Sequence, residues 1–392
     1  MGNGISGARI KKGLGRTIPA HRISVSDALR SVIVQPDSLV EVADAVSFAA
    51  REGVVILPAS GIGRPVPLKS WRIRLSLSRL SAITDYSPDS GLVCVQGGVK
   101  MGYLAEWLQE KGRCLAVTPD FAEEMELWEY LLSPHWGRFG PLFGSKWDQV
   151  FAVKAVLPSG RPYSNSLSPA RATGPDFSQV ILTAGGRFGI PLEIYLRVRK
   201  LPQRRIFLTF AFDSVSDAIQ PAWTLARDIT PAYLELGLNV STDTAFPPEY
   251  MMMELWGEGR QLTAKRELVR KIVGNSGKFA DVSHESVLTS AATGEAKPRD
   301  CADLFLHKNN LEGALAALEE ACGTTGRMRV RGFTENQVCV STQRNTLKLA
   351  DLGTLGANPT FSSEHGAQLL DVVAKQLDPQ GVFARIPQLW ER

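Results

Sequence analysis

The stretch from Ser38 to Arg64 constrains this chain most: a helix, a buried strand and a loop of small residues follow one another without a break. Asp37 and Ser38 offer N-caps. Glu41 stands three residues after Ser38, the spacing of a capping box. Leu39, Val42, Ala43, Val46 and Ala50 recur at helical spacing, and Gly53 supplies the stop. Val54 to Leu57 is short and apolar, as a buried strand is. Pro58-Ala59-Ser60-Gly61-Ile62-Gly63-Arg64-Pro65 then cannot continue as regular structure.

A second unit repeats the theme. Leu92 to Gln96 reads as a strand and Gly97-Gly98 as a turn; a helix follows with Leu104, Trp107 and Leu108 on one face. Val150 to Leu157 is strand-like, with Pro158-Ser159-Gly160 as its turn. The clearest strand lies at Ile190 to Arg199, where Ile190, Leu192, Ile194, Leu196 and Val198 alternate with charged or polar neighbours. After Pro202 the texture changes. Strands are expected at 206–212, 250–256, 328–333 and 338–342, with helices at 215–227, 262–273, 311–322 and 363–377. The stretch 277–297 is small and polar and is expected to be mobile. Trp223, Trp256 and Met251-Met252-Met253 read as core, methionine being a common gap-filler.

With 392 residues and 44% hydrophobic content, two or three domains with large cores are affordable. A net charge of +4 without a Lys/Arg run argues against nucleic acid. The five cysteines are scattered and none forms CxxC, which argues against a disulfide framework, a zinc site or an iron–sulfur cluster, and for a reducing, cytoplasmic setting. No apolar run reaches the length of a membrane span, and no signal-peptide core is present. Met1-Gly2 with Ser6 fits the short myristoylation pattern, which matches often by chance.

The order of these pieces resembles the flavin-binding domain of the p-cresol methylhydroxylase/vanillyl-alcohol oxidase family, on the branch of the glycolate oxidase and D-lactate dehydrogenase flavin subunits. The resemblance is carried by the Val34 to Gly63 unit, "LVCVQGGV" at Leu92 to Val99, Thr118-Pro119, Phe143-Gly144 with Asp148-Gln149-Val150, "VKAVLPSGR" at Val153 to Arg161, Thr173-Gly174-Pro175-Asp176, Gly185 to Ile190, and Asp378 to Phe383. It covers roughly Val34 to Pro202 and the last ~20 residues; each motif is weak alone, and their shared order is the stronger signal.

The resemblance implies an α+β chain. An FAD-binding domain of two α+β subdomains would span 30–202, after an N-terminal extension at 1–29. A cap with an antiparallel sheet would span 203–370, and a C-terminal tail, 371–392, would return to the FAD domain. It implies FAD as cofactor. Pro58, Ala59, Ser60, Gly61, Ile62, Gly63 and Arg64 would wrap the diphosphate, their small residues letting backbone N–H groups converge on an anion. Thr118, Pro119, Gly144, Gly185, Gly186, Gly189 and Ile190 would lie against the flavin and adenine.

Three departures stand out. Glu124 to Trp128 occupies the place of a family Gly-Gly pair, so Trp128 would crowd the cofactor. Ile62 and Pro65 replace small residues of the loop, and Pro65 has no N–H to donate. The Gly-His-x-Gly-Asp motif that binds metal in α-hydroxy-acid members is missing, so no metal site is assigned. His135, in His135-Trp136-Gly137-Arg138, is a weak candidate for a general base and reads more simply as a solvated loop residue. No His or Cys marks a covalent flavin link.

The implied activity is FAD-dependent oxidation of a small organic substrate such as a 2-hydroxy acid, with electrons leaving to an iron–sulfur or other electron-accepting subunit. The alternatives are a flavin-free structural subunit of such a complex and a reductase of the UDP-sugar type. The chain would have no integral membrane segment, though a partner could hold it at a membrane surface.

Overall fold

The computed structural model describes residues 5–58, 70–118, 124–133, 137, 140–165, 167, 176–183, 186–238, 247–280, 301–307, 311, 313, 315, 328–331, 333, 337–343 and 376. Among them the strands form three sheets.

The first sheet grows from the Ser38 unit. Helix α1 (Gly7–Leu14) leads into β1 (Ile23–Ser26) and β2 (Ser31–Val34); α2 (Leu39–Glu52) follows, then β3 (Val55–Pro58) and β4 (Arg72–Leu75). The order is β1-β2-β4-β3, with β2, β4 and β3 parallel. The expected cap forms: Ser38 Oγ accepts from Glu41 N at 3.3 Å, and the Glu41 carboxylate accepts from Asp37 N at 2.9 Å. Val42, Ala45, Val46 and Ala49 turn inward as one stripe. They pack on the face of the sheet that carries Val32, Val34, Ile56, Ile73 and Leu75. The stretch expected as an N-terminal extension contributes Ile10, Leu14, Ile18 and Ile23 to this core. Arg22 pins the start of α2, with one guanidinium nitrogen 2.7 Å from Asp37 and the other 2.7 Å from Glu41.

The second sheet is built from β5 (Ile83–Ser87), β6 (Leu92–Gln96), β7 (Arg113–Leu115), β8 (Val150–Val156), β9 (Pro162–Ser164) and β10 (Ile190–Lys200). Between them run α3 (Met101–Glu110), α4 (Leu127–Leu132), α5 (Gly140–Phe143) and α6 (Phe177–Thr183). The order is β5-β6-β10-β8-β9, with β7 paired to β10. The alternation expected for β10 holds: its five apolar residues are all buried. Ile190 and Leu192 enter the core of the first subdomain, and Ile194, Leu196 and Val198 that of the second, so one strand ties both together. Gly98 lets two segments touch, since a Cβ there would stand 1.8 Å from the Leu77 carbonyl oxygen.

The third sheet contains β11 (Arg204–Phe212), β12 (Tyr233–Leu238), β13 (Tyr250–Gly257), β14 (Gly277–Ala280), β15 (Cys301–His307), β16 (Met328–Arg331) and β17 (Gln337–Gln343), with α7 (Val215–Asp228) and α8 (Gly259–Val273) on one side. Its order is β14-β11-β13-β12-β16-β17-β15. This is the antiparallel cap sheet expected from the sequence. The polar stretch expected to be mobile opens as the edge strand β14, paired to β11. Helical residues 311, 313 and 315 fall inside the expected helix; the last expected helix and the Asp378 to Phe383 exit lie outside the described residues, apart from residue 376. Period-two alternation divides the cap sheet into two faces. Leu208, Phe210, Leu234, Leu236, Met251, Met253, Leu255 and Val330 pack with α7 and α8, together with Trp223.

Candidate functional site

The other face of the cap sheet is polar yet buried. Tyr233, Glu235, Tyr250, Met252 and Glu254 are each no more than 3% exposed. The cross-strand register places Tyr233 beside Glu254, Glu235 beside Met252, and Gly237 beside Tyr250. Glu235 is the hub. Tyr250 OH donates to its Oε1 at 2.7 Å, Tyr233 OH donates to Oε2, and Arg329 Nη1 stands 3.9 Å from Oε2. Gly237 makes this possible: a Cβ there would lie 2.2 Å from the Tyr250 ring, which crosses that position to reach Glu235. Beside it, Trp256 Nε1 donates to Glu254 Oε1 at 2.6 Å, with Arg205 Nε 3.8 Å from the same oxygen. Sequence reading missed this network, and its signal was present: Tyr-x-Glu in β12 and Tyr-x-Met-x-Glu in β13 put polar groups on one face of strands that are buried throughout.

This face turns toward the flavin domain. Helix α5 lies against β12, and the Phe143 and Trp256 rings meet edge to face with centroids 5.5 Å apart. Trp256, expected as core, therefore stands at the junction of the two domains. Arg199 lies over the other side of this contact, 5.6 Å from the Phe143 ring centroid. Cys114, in β7, senses the same junction: burial pushes its thiol up to about 11, Arg205 and Arg199 pull it down, and Glu254 pushes it up.

On the flavin-domain side, Thr118 is half-buried. Its carbonyl and the Tyr130 hydroxyl are the nearest neighbours of Gly137, which has a φ of +86°. The Tyr130 hydroxyl is fully buried without a hydrogen-bond partner, and burial pushes the phenol far above its usual value. Lys146 is buried beside it. Its Nζ donates to Tyr130 O at 2.5 Å and to Ser133 O, and it lies 4.7 Å from the Tyr130 ring centroid. The ammonium thereby caps the last carbonyls of α4.

The expected site residues distribute as follows. Pro58 is the last residue of β3, paired to Leu75. Gly144 (φ +82°) opens a turn closed by Ser145 N and Oγ donating to Asp148. Gly186 has a φ of +82°. Gly189 is buried against Ile181 and Val156. Ile190 pairs with Val156 and is 3% exposed in the first core. Ala59, Ser60, Gly61, Ile62, Gly63, Arg64, Pro119, His135 and Gly185 lie outside the described residues. Trp128 does not stand open to a cofactor. It is 2% exposed within the first core, with Leu132, Val156, Ile190 and Leu192 in the same cluster. Its indole N–H donates to Glu126 Oε2 at 2.7 Å. Burial raises the Glu126 carboxyl, and that indole bond opposes the rise.

The donor set fits a phosphate-bearing flavin. At the carboxyl end of the parallel strands β2, β4 and β3, the carboxylates of Asp37, in the β2–α2 turn, and Glu41, in the first turn of α2, are both held by Arg22. Arg74, one residue before the end of β4, is 9% exposed, and its Nε has no hydrogen-bond partner. In open sheets with parallel strands, ligands collect at the carboxyl ends.

Known proteins agree with this geometry. Residues 30–164 match the family model described as "FAD binding domain". Alkyldihydroxyacetonephosphate synthase of Dictyostelium discoideum is 25% identical over 194 residues, covering 48% of this chain and 32% of that protein. Mitochondrial D-lactate dehydrogenase [cytochrome] of Arabidopsis thaliana is 24% identical over 249 residues, covering 62% of this chain and 42% of that protein. This chain thus spans less than half the length of either relative. Among solved structures, p-cresol methylhydroxylase with substrate bound superposes with a TM-score of 0.79, covering 99% of this chain and 98% of that one. At 12% identity, that likeness shows the fold. Residues 30–164 are therefore an FAD-binding domain, and the chain has the fold of p-cresol methylhydroxylase.

Proposed function

We propose that this chain is the flavin-bearing unit of an FAD-dependent oxidoreductase that oxidises a small 2-hydroxy acid and passes the electrons to a partner protein. The observation that carries the reading is the buried polar face of the cap sheet, held against the flavin domain by Phe143 and Trp256. A face of Tyr233, Tyr250, Glu235 and Arg329 offers hydroxyls, a carboxylate and a guanidinium in a setting shielded from water, where polar contacts are stronger than in bulk solvent. Names among the relatives, D-lactate dehydrogenase in particular, support the substrate class.

When bound, FAD supplies the two-electron acceptor. The protein's own part is positioning. Arg329 offers a bidentate fork for a carboxylate, and Glu235 fixes the two tyrosine hydroxyls so that their orientation is set before substrate arrives. Glu126, with its carboxyl raised by burial, stays with Trp128 in the scaffold. The partner is inferred from the resemblance to glycolate-oxidase-type flavin subunits; the flavin-free alternative leaned on the missing Gly-Gly pair, on Trp128 and on the missing cap histidines, and of these Trp128 is a core side chain.

The test is anaerobic titration of the flavin-loaded protein with a panel of 2-hydroxy acids, followed by turnover with a dye acceptor. Bleaching of the flavin band by one acid of the panel is expected. A loaded protein that no 2-hydroxy acid bleaches contradicts the substrate class. Isolation of the chain with its native neighbours tests the partner.

A further inference from the structure

Arg74 is an anomaly of the first sheet. It lies on β4 between Ile33 of β2 and Leu57 of β3, in a cross-strand row on the face turned away from the α1–α2 core. It is about nine-tenths buried, and its Nε has no partner. Among the described residues no carboxylate pairs with it: Asp37 and Glu41, the acids at this end of the sheet, are both taken by Arg22. Burial lowers its guanidinium from the usual value, and no opposing charge among the described residues restores it. A buried cation without a counter-ion is strongly unfavourable, and such groups persist where an anion completes them. The segment that joins β3 to β4, residues 59–69, contains Arg64 and Lys69 and no acidic residue.

We propose that Arg74 is a side-chain anchor for the diphosphate of FAD, reaching it at the carboxyl end of β3 and β4. The guanidinium presents N–H donors in a plane that matches a phosphate fork, where an ammonium would act as a point charge. The negative charge of the bridging diphosphate completes the cation, and the cation selects a diphosphate-bearing flavin over riboflavin. The inference rests on the FAD-binding domain and adds a residue to it.

The test compares the full-length wild type with Arg74→Met and Arg74→Lys. FAD and riboflavin affinities are measured by flavin fluorescence, and thermal midpoints of the apo proteins are recorded with and without inorganic pyrophosphate. Arg74→Met is expected to fold at least as well as the wild type in the apo form, because it removes an uncompensated buried charge. It should weaken FAD on the order of 10- to 100-fold, the factor carried by a hydrogen bond to a charged group, and leave riboflavin unchanged. Arg74→Lys should fall between. Pyrophosphate should raise the midpoint of the wild type and not of Arg74→Met. Equal FAD affinity in wild type and Arg74→Met, or an equal pyrophosphate response, overturns the proposal. A wild type that takes up no FAD but responds to pyrophosphate through Arg74 overturns the flavin assignment and leaves the anion site standing.

Discussion

Phe143 of the flavin domain meets Trp256 of the cap edge to face, with ring centroids 5.5 Å apart. Trp256 in turn donates to Glu254 and lies beside Arg205, the groups that tune Cys114 across the junction. An aromatic pair of this kind adds roughly 0.5–1.5 kcal/mol beyond its buried area. Trp256→Ala should therefore increase opening of the cap roughly 2- to 10-fold. The readout is maleimide labelling of Cys114 under native conditions, which should accelerate by that factor. An unchanged rate would mean that the ring contact does not hold the cap in place.

Cys114 also gives a pH dependence. Its thiol is raised by burial from an ordinary 9.0 to about 11 in the folded chain. Below the unfolded value both states hold the proton and the contribution to stability is fully present. As pH rises from 9 toward 11 the unfolded chain releases its proton first, so stability falls through that window. Wild type should lose thermal stability more steeply than Cys114→Ser between those pH values. Parallel curves would show that the thiol does not experience the junction as buried.

Lys146 caps α4 from inside the protein, with its Nζ on the Tyr130 and Ser133 carbonyls and 3.2 Å from Ser133 Oγ. Lys146→Met keeps most of the volume and removes every donor. Buried acceptors left unsatisfied cost about 1–3 kcal/mol each, so a loss of about 3 kcal/mol is expected from urea unfolding. A loss under 1 kcal/mol would show that water or a neighbour replaces the ammonium.

Tyr250→Phe tests the cap network. The lost bond is the one from Tyr250 OH to the Glu235 carboxyl group, worth roughly 1.5 kcal/mol, and the freed Glu235 can turn toward Arg329. The variant should be less stable by that amount and, on the proposed function, should show a KM for the 2-hydroxy acid roughly 10-fold higher, with flavin content unchanged. Loss of flavin in this variant would place the network on the cofactor rather than the substrate.

Much of the architecture was legible where one face alone is buried. The Ser38–Glu41 box, the stripe of α2 and the alternation of β10 each follow a single local rule. Reading failed where long-range pairing decides. Strand β4, "RIRL", carries two arginines and becomes a strand because β2 and β3 flank it. Strand β12, "YLELGL", is buried on both faces and so shows no clean amphipathic period. Helix α1 is only eight residues long and sits ahead of the first clear motif, which hid its core role. Trp128 was judged against a family glycine pair, whereas its own neighbours, Glu126 and Leu132, make it a core side chain. The cap network was half legible: the polar residues of β12 and β13 recur at period two, but which of them meet is set by the order β13-β12-β16, which brings together Glu235, Tyr250 and Arg329 from distant parts of the sequence.

Whether this fold holds FAD is read from the visible absorption spectrum of the purified chain. A flavin spectrum in stoichiometric amount is expected, either as purified or after incubation with FAD and desalting, with the cofactor released on denaturation. A chain that is folded by circular dichroism and retains no flavin after that treatment would contradict it.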